Sequence, residues 1–233
     1  MKTSNKILIT IGILATGWIL FRSVVLSIGV PQIANGKSSP FINLPGETNK
    51  IDIGRFTDLS IESKGNTRIS IKQGPKVGIT GDKNLEDCLK IKYQGNALII
   101  MYENKSSSVG YINITTPSLK SIRINNPDKD DRSNTVKIEG FNADSLAVTS
   151  TRFQYLTISD CILSKLNLTT RNAAKQYAYL TLKESNQIQN LNLDIQGEGW
   201  MYLQTAGLKT TNFIVSDSMG IGTSAEVLKL LNR

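Results

Sequence analysis

Residues 155–203 read YLTISDCILSKLNLTTRNAAKQYAYLTLKESNQIQNLNLDIQGEGWMYL. Apolar residues return at every second position in short bursts: Leu156-Thr-Ile158, Leu166-Asn-Leu168, Leu180-Thr-Leu182, Leu191-Asn-Leu193-Asp-Ile195 and Trp200-Met-Tyr202. Successive side chains of a strand point to opposite faces, so period two marks strands with one face buried. The same bursts occur on either side, at Ile122-Arg-Ile124, Val136-Lys-Ile138, Leu146-Ala-Val148 and Phe213-Ile-Val215. Taken alternately they form two series. One runs 122, 146, 166, 191, 213, with steps of 24, 20, 25 and 22; the other runs 136, 156, 180, 202, with steps of 20, 24 and 22. A repeat of this length with two strands cannot bury its own apolar face and must stack on its neighbours. The pattern predicts an all-β fold, a right-handed parallel β-helix or β-solenoid. The alternative is a β-sandwich, whose strands also recur at short intervals. The Thr, Asn, Ser and Lys residues between the apolar ones are expected to form ladders on the outside.

Upstream, Ile69-Ser-Ile71, Val77-Gly-Ile79, Leu89-Lys-Ile91-Lys-Tyr93 and Ile112-Asn-Ile114 keep the alternation. Turn signals separate them, among them Lys64-Gly-Asn66, Gln73-Gly-Pro75, Gln94-Gly-Asn96 and Asn125-Asn-Pro127. After residue 40 no long helical stripe appears; a short terminal helix is expected at Glu226–Asn232. Ser224–Arg233, with Val227, Leu228, Leu230 and Leu231, is the candidate cap of the last coil.

The N-terminus differs in kind. Residues 7–21 carry no charge, Lys2 and Lys6 precede them, and Arg22 is followed by SVVLSIGV. One reading is a cleaved signal segment. The favoured one is an uncleaved transmembrane helix over about residues 7–29, with the flanking lysines cytoplasmic and everything after residue 30 outside. The expected organisation is therefore a membrane anchor or signal segment at 1–30, a Pro/Gly/Ser-rich linker at 31–50 and a β-solenoid domain at 51–233, lying extracytoplasmic (periplasmic) in the cell envelope.

Composition narrows the chemistry. The chain has no His and a net charge of +8, but Lys2, Lys6, Arg22 and Lys37 all precede residue 41. The remainder holds 23 basic and 19 acidic groups of mixed order, with no basic–aromatic interleaving, so nucleic acid is not an expected partner. Cys88 and Cys161 are read as free buried thiols; a disulfide between them would require the fold to bring them together. Asp128, Asp130 and Glu139 fall at offsets 1, 3 and 12 of a calcium loop, but Arg132 and Ser133 occupy offsets 5 and 6, which points to a solvated turn. Asp144, Asp160, Glu184, Asp194, Glu198 and Asp217 show no matched pair in equivalent coils, as a glycosidase would need. Gly220-Ile-Gly-Thr lacks a βαβ setting and reads as a turn. Tyr177, Tyr179, Trp200 and Tyr202 are the candidate ligand surface, an aromatic strip able to stack on sugars, with core and ladder packing the plainer account. No catalytic residue, metal ligand or cofactor site is predicted.

Ile69-Ser-Ile-Lys-Gln-Gly-Pro-Lys-Val-Gly-Ile-Thr-Gly-Asp-Lys-Asn-Leu85 resembles the opening of the head GIN domain, the putative auto-transporter adhesin head found mainly in Bacteroidetes. Gly95-Asn-Ala-Leu-Ile-Ile100 and Ile114-Thr-Thr-Pro-Ser-Leu119 fit the same pattern, and the resemblance extends over about residues 53–223. Asn125-Asn126-Pro127 departs from it, standing where the family has Gly. The resemblance implies a β-helical envelope domain and carries over no catalytic or binding residue. The expected function is a non-enzymatic, adhesin-like or scaffold module that presents a repetitive surface to a glycan or envelope-protein partner. The alternative is a carbohydrate-active β-helix, a polysaccharide lyase or glycosidase.

Overall fold

The computed structural model describes residues 49–51, 53–82, 84–105, 108–127, 134–172, 176–224 and 227–228. Glu47–Arg233 form one compact unit. Its strands are β1 (Asn49–Ile51), β2 (Asp58–Lys64), β3 (Thr67–Gln73), β4 (Gly78–Gly81), β5 (Leu89–Gln94), β6 (Ala97–Glu103), β7 (Gly110–Thr116), β8 (Ser121–Asn125) and β9 (Asn134–Glu139). They continue with β10 (Asn142–Thr151), β11 (Tyr155–Ser159), β12 (Ile162–Arg171), β13 (Tyr177–Leu182), β14 (Gln187–Gln196), β15 (Glu198–Leu203), β16 (Thr210–Val215) and β17 (Met219–Thr223). One short helix, α1 (Leu85–Cys88), follows β4; nothing in the alternation foretold it.

The strands form two mixed sheets. One has nine strands, ordered β1-β4-β7-β3-β9-β11-β13-β15-β17, and the other eight, ordered β16-β14-β12-β10-β8-β2-β6-β5. From β8 onward the chain alternates between the sheets, and each strand pairs in parallel with the strand two places on. Each successive pair of strands, one per sheet, makes a rung. Branched and aliphatic residues stack in register across rungs: Ile122, Val148, Leu168, Leu193 and Phe213 in the eight-stranded sheet, Val136, Leu156, Leu180, Met201 and Ile221 in the other. Both rows face a single core cluster, with Phe213 only partly buried and Ile221, on the edge strand β17, 42% exposed. The expected register is off by two at Ile122 and Phe213, because paired positions shift where turns differ in length. It is off by one at Tyr202, where Met201 takes the inward place.

The first rungs do not follow chain order. β2 lies between β6 and β8, and β3 lies between β7 and β9. The chain makes β2 and β3, leaves to form β4, between β1 and β7, and β5 at the edge of the eight-stranded sheet, returns through β6 and β7 on one side, then crosses to β8 and β9 on the other. Ser121 Oγ donates to Asp58 Oδ1 at 2.5 Å across the β2–β8 contact. The return from β5 to β6 is a two-residue turn led by Gly95 at φ 59°, a conformation glycine adopts without steric cost and one that suits hairpin twist.

At the other end β16 and β17 are edge strands, and Phe213, Val215 and Met219 are only partly covered. Gly220-Ile-Gly222, read as a turn, lies within β17 instead. Val227 is 1% exposed and joins the core, while Leu228 is exposed; the rest of the expected terminal helix and cap lies outside the described residues. So do the expected anchor and nearly all of the linker. Among the described residues no helix is long and apolar enough to cross a membrane.

Candidate functional site

Parity along β13 and β15 decides which side chains face out. Ala178, Leu180 and Leu182 are buried, as are Gly199, Met201 and Leu203, so Tyr177, Tyr179, Trp200 and Tyr202 project from the opposite face of the nine-stranded sheet. The register places Tyr155, Tyr179, Trp200 and Gly220 in one row across β11, β13, β15 and β17. Tyr155 belongs to the same surface, beyond the four residues expected there; period two, which buries Leu156 beside it, turns it outward.

The five rings form two groups. Tyr155 and Tyr179 stack with centroids 5.1 Å apart and planes 11° apart, and Tyr177 leans on Tyr179 at 5.4 Å and 57°. Tyr155 and Tyr177 stay 42% and 44% exposed despite these contacts. Trp200 and Tyr202 are 6.4 Å apart with planes 20° apart. That spacing matches two residues of strand, at about 3.3 Å each, so the two rings lie side by side.

What lies beneath them is glycine. A Cβ on Gly220 would stand 2.7, 2.8 and 2.9 Å from Cε3, Cδ2 and Cζ3 of Trp200. Near-equal distances to three consecutive ring atoms place that point over the ring face, since an edge approach would separate them. A Cβ on Gly222 would likewise meet Cδ1 and Cε1 of Tyr202 at 3.0 and 3.2 Å. Each ring therefore rests one face on a glycine of β17 and leaves the other toward water; both residues are 42% exposed. Any side chain at these positions would have to displace the ring. Glycine within a strand costs roughly 0.5–1 kcal/mol relative to alanine, which the buried ring face offsets.

The ionisable groups are mostly engaged elsewhere. Lys72 and Lys137 both pair with Glu139. Burial pushes the Glu139 carboxyl up, but hydrogen bonds from Lys137 and Lys72 outweigh it and hold the group below the usual carboxylate range. Asp128 and Asp130 of the calcium-loop pattern lie outside the described residues, and Glu139 is already met by two ammonium groups. On the other sheet the Arg171 guanidinium beside Asp194 holds that carboxyl low. Asp160 and Glu184 sit in successive turns after β11 and β13, and the Asp160 N–H donates to Ser185 Oγ at 3.0 Å. Among the described residues no three His, Cys, Asp or Glu side chains gather as a metal site. Cys88 and Cys161 are free; Cys161 is buried, which pushes its thiol up to about 11, whereas Cys88 is only half-buried. An open groove of about 640 Å³ crosses the starts of β10, β12 and β14, lined by Asn142, Asp144, Ile162, Gln187, Gln189 and Lys209 among others. Asp144 is the single acid in its lining.

The family model described as "Putative auto-transporter adhesin, head GIN domain" matches residues 55–220. Two crystal structures align with this chain. A putative adhesin from Parabacteroides distasonis ATCC 8503 aligns with a TM-score of 0.52 at 14% identity, over 76% of this chain and 73% of its own. A putative adhesin from Bacteroides fragilis NCTC 9343 aligns with a TM-score of 0.43 at 16% identity, over 76% and 92%. No curated protein matches the sequence.

Proposed function

This chain belongs to the family of head GIN domains of putative auto-transporter adhesins, and from that premise we propose that it is a non-enzymatic envelope module that presents its outer sheet faces to a glycan or protein partner. In this reading the two sheets are the walls of a right-handed parallel β-solenoid spanning about residues 51–233. Unbroken parallel pairing from β8 to β17 supports it, as does the strong preference of parallel crossovers for the right hand. Residues 7–29 tether the domain to the membrane, with residues 31–50 as the spacer and the domain on the extracytoplasmic side. The charge-free run after Lys2 and Lys6 supports that placement.

The observation that carries the proposal is the row of aromatic side chains held outward on the nine-stranded sheet, Tyr155, Tyr177, Tyr179, Trp200 and Tyr202. A folding sequence gains little by leaving such rings in water, and contiguous exposed apolar patches mark interaction sites. A glycosidase needs two positioned carboxylates. The groove across β10, β12 and β14 offers Asp144 alone, and Asp194 is engaged with Arg171.

The test uses the full-length protein in detergent, applied to a glycan array and, separately, cross-linked to envelope proteins and incubated with polysaccharides. Saturable binding without shortening of any polysaccharide is expected. Chain cleavage would establish the lyase or glycosidase instead, and binding to neither glycan nor protein would end the adhesin-like reading.

A further inference from the structure

We propose that the paired rings of Trp200 and Tyr202 are a saccharide platform that takes two consecutive pyranose units of a neutral glycan. The proposal rests on the adhesin-like reading and narrows it to one site and one ligand class.

Three features separate this pair from the tyrosines beside it. First, its rings rest on backbone rather than on other rings. Trp200 and Tyr202 each set one face on a glycine of β17 and are 42% exposed, whereas Tyr155, Tyr177 and Tyr179 pack on one another. Second, the two ring planes are close to parallel, 20° apart, with centroids 6.4 Å apart, and each ring sits over its own glycine of β17. A flat ligand with a repeat of one ring per unit can rest on both together. A pyranose with equatorial hydroxyls has this form: its axial C–H bonds make an apolar face that buries against an aromatic ring, while its hydroxyls point sideways. Third, the surroundings suit a neutral polyol. Tyr179 and Thr181 lie in register beside Trp200 and Tyr202, placing a phenol and an alcohol at the rim. In this strand pairing the nearest charged residue is Glu198, opposite Tyr177. No cation of the register neighbours stands ready for a carboxylate, sulfate or phosphate group.

The platform also explains the glycines. β17 carries Gly220 and Gly222 on its outward side and nothing larger, so the rings settle to one level.

The chain has two tryptophans, Trp18 and Trp200. In a full-length Trp18→Phe protein, fluorescence therefore reports on Trp200 alone. Titration with cellohexaose and xylohexaose in detergent should give a saturable change, and oligogalacturonate should give a weaker one. On this background Tyr202→Ala should weaken binding by about tenfold or more, the scale of one lost ring contact. Gly220→Ala, which lifts the indole, should do the same. Tyr155→Ala should leave it within about twofold, and near-UV circular dichroism should confirm that each variant stays folded. Equal affinity in the Tyr202→Ala and Gly220→Ala proteins would overturn the platform while leaving the adhesin-like reading intact. So would preference for oligogalacturonate, or a saturable response to a proline-rich peptide where no saccharide gives one. If the protein binds neither saccharide, the platform fails, and the cross-linking experiment alone decides the broader reading.

Discussion

Asn186 is fully buried, and its side chain joins two rungs. Its Oδ1 accepts from the Cys161 N–H at 3.0 Å, and its Nδ2 donates to the carbonyls of Ile158 and Lys183 at 2.8 and 2.9 Å. Both carbonyls also accept backbone N–H bonds, from Lys183 and Asn186, so the buried Cys161 N–H is the group that depends on this side chain. Asn186→Ala should lower the urea midpoint by an amount equivalent to about 1–3 kcal/mol, the scale of leaving the buried Cys161 N–H unpaired. Asn186→Asp should also destabilise, because its carboxylate cannot donate. Glu139 gives a pH dependence of known sign. Its folded carboxyl is held below the ordinary value near 4.3, so it contributes stability above that pH, and the contribution disappears as pH falls through the folded value. Unfolding of the wild type and of Glu139→Gln, followed from pH 7 to pH 3, should show a gap that is widest near neutrality and closes on acidification.

At the scale of the element, β15 shows how backbone and side chain are fitted together. Gly199 has φ 148°, and a Cβ there would lie 1.9 Å from the carbonyl oxygen of Ala178 on β13. Gly199→Ala must push β15 off β13 and should destabilise by at least about 1–3 kcal/mol, measured by thermal melting. It should also perturb Trp200, the next residue. Much of the element list was legible beforehand because Leu156, Leu166, Leu180 and Leu191 repeat with strict parity. The outward ladders were legible too: Asn167 and Asn192 stand in register, and the Asn192 amide donates to Asn167 at 2.7 Å. Other features lacked a local signal. Trp200-Met-Tyr202 is apolar at all three positions, so alternation could not say which residue turned inward; only Gly199 and Leu203 on either side settle it. Gly220-Ile-Gly222 looked like a turn because its glycines answer to rings on another strand. The sideways return of β6 and β7 is set by pairings between distant segments, and no periodicity along the chain records them.

For the molecule as a whole, each later rung touches only the rungs on either side, so stability should be close to a sum of rungs and their interfaces. Removing residues 208–233, and with them β16 and β17, should leave a protein that still unfolds cooperatively at a lower temperature, with a greater tendency to associate through the bared edges of β14 and β15. Removing residues 47–73 should abolish cooperative unfolding, because β2 and β3 are flanked on both sides and their loss splits the core. Circular dichroism melts of the two truncations distinguish these outcomes. The flanked position of β2 and β3 also makes the molecule mechanically polar. A pull on the C-terminus meets β17 and β16, each held by one ladder, and can peel the fold apart rung by rung at modest force. A pull on the N-terminus strips β1, then reaches strands hydrogen-bonded along both edges, and must shear two ladders at once. Load entering from the N-terminal side is borne by strands gripped along both edges.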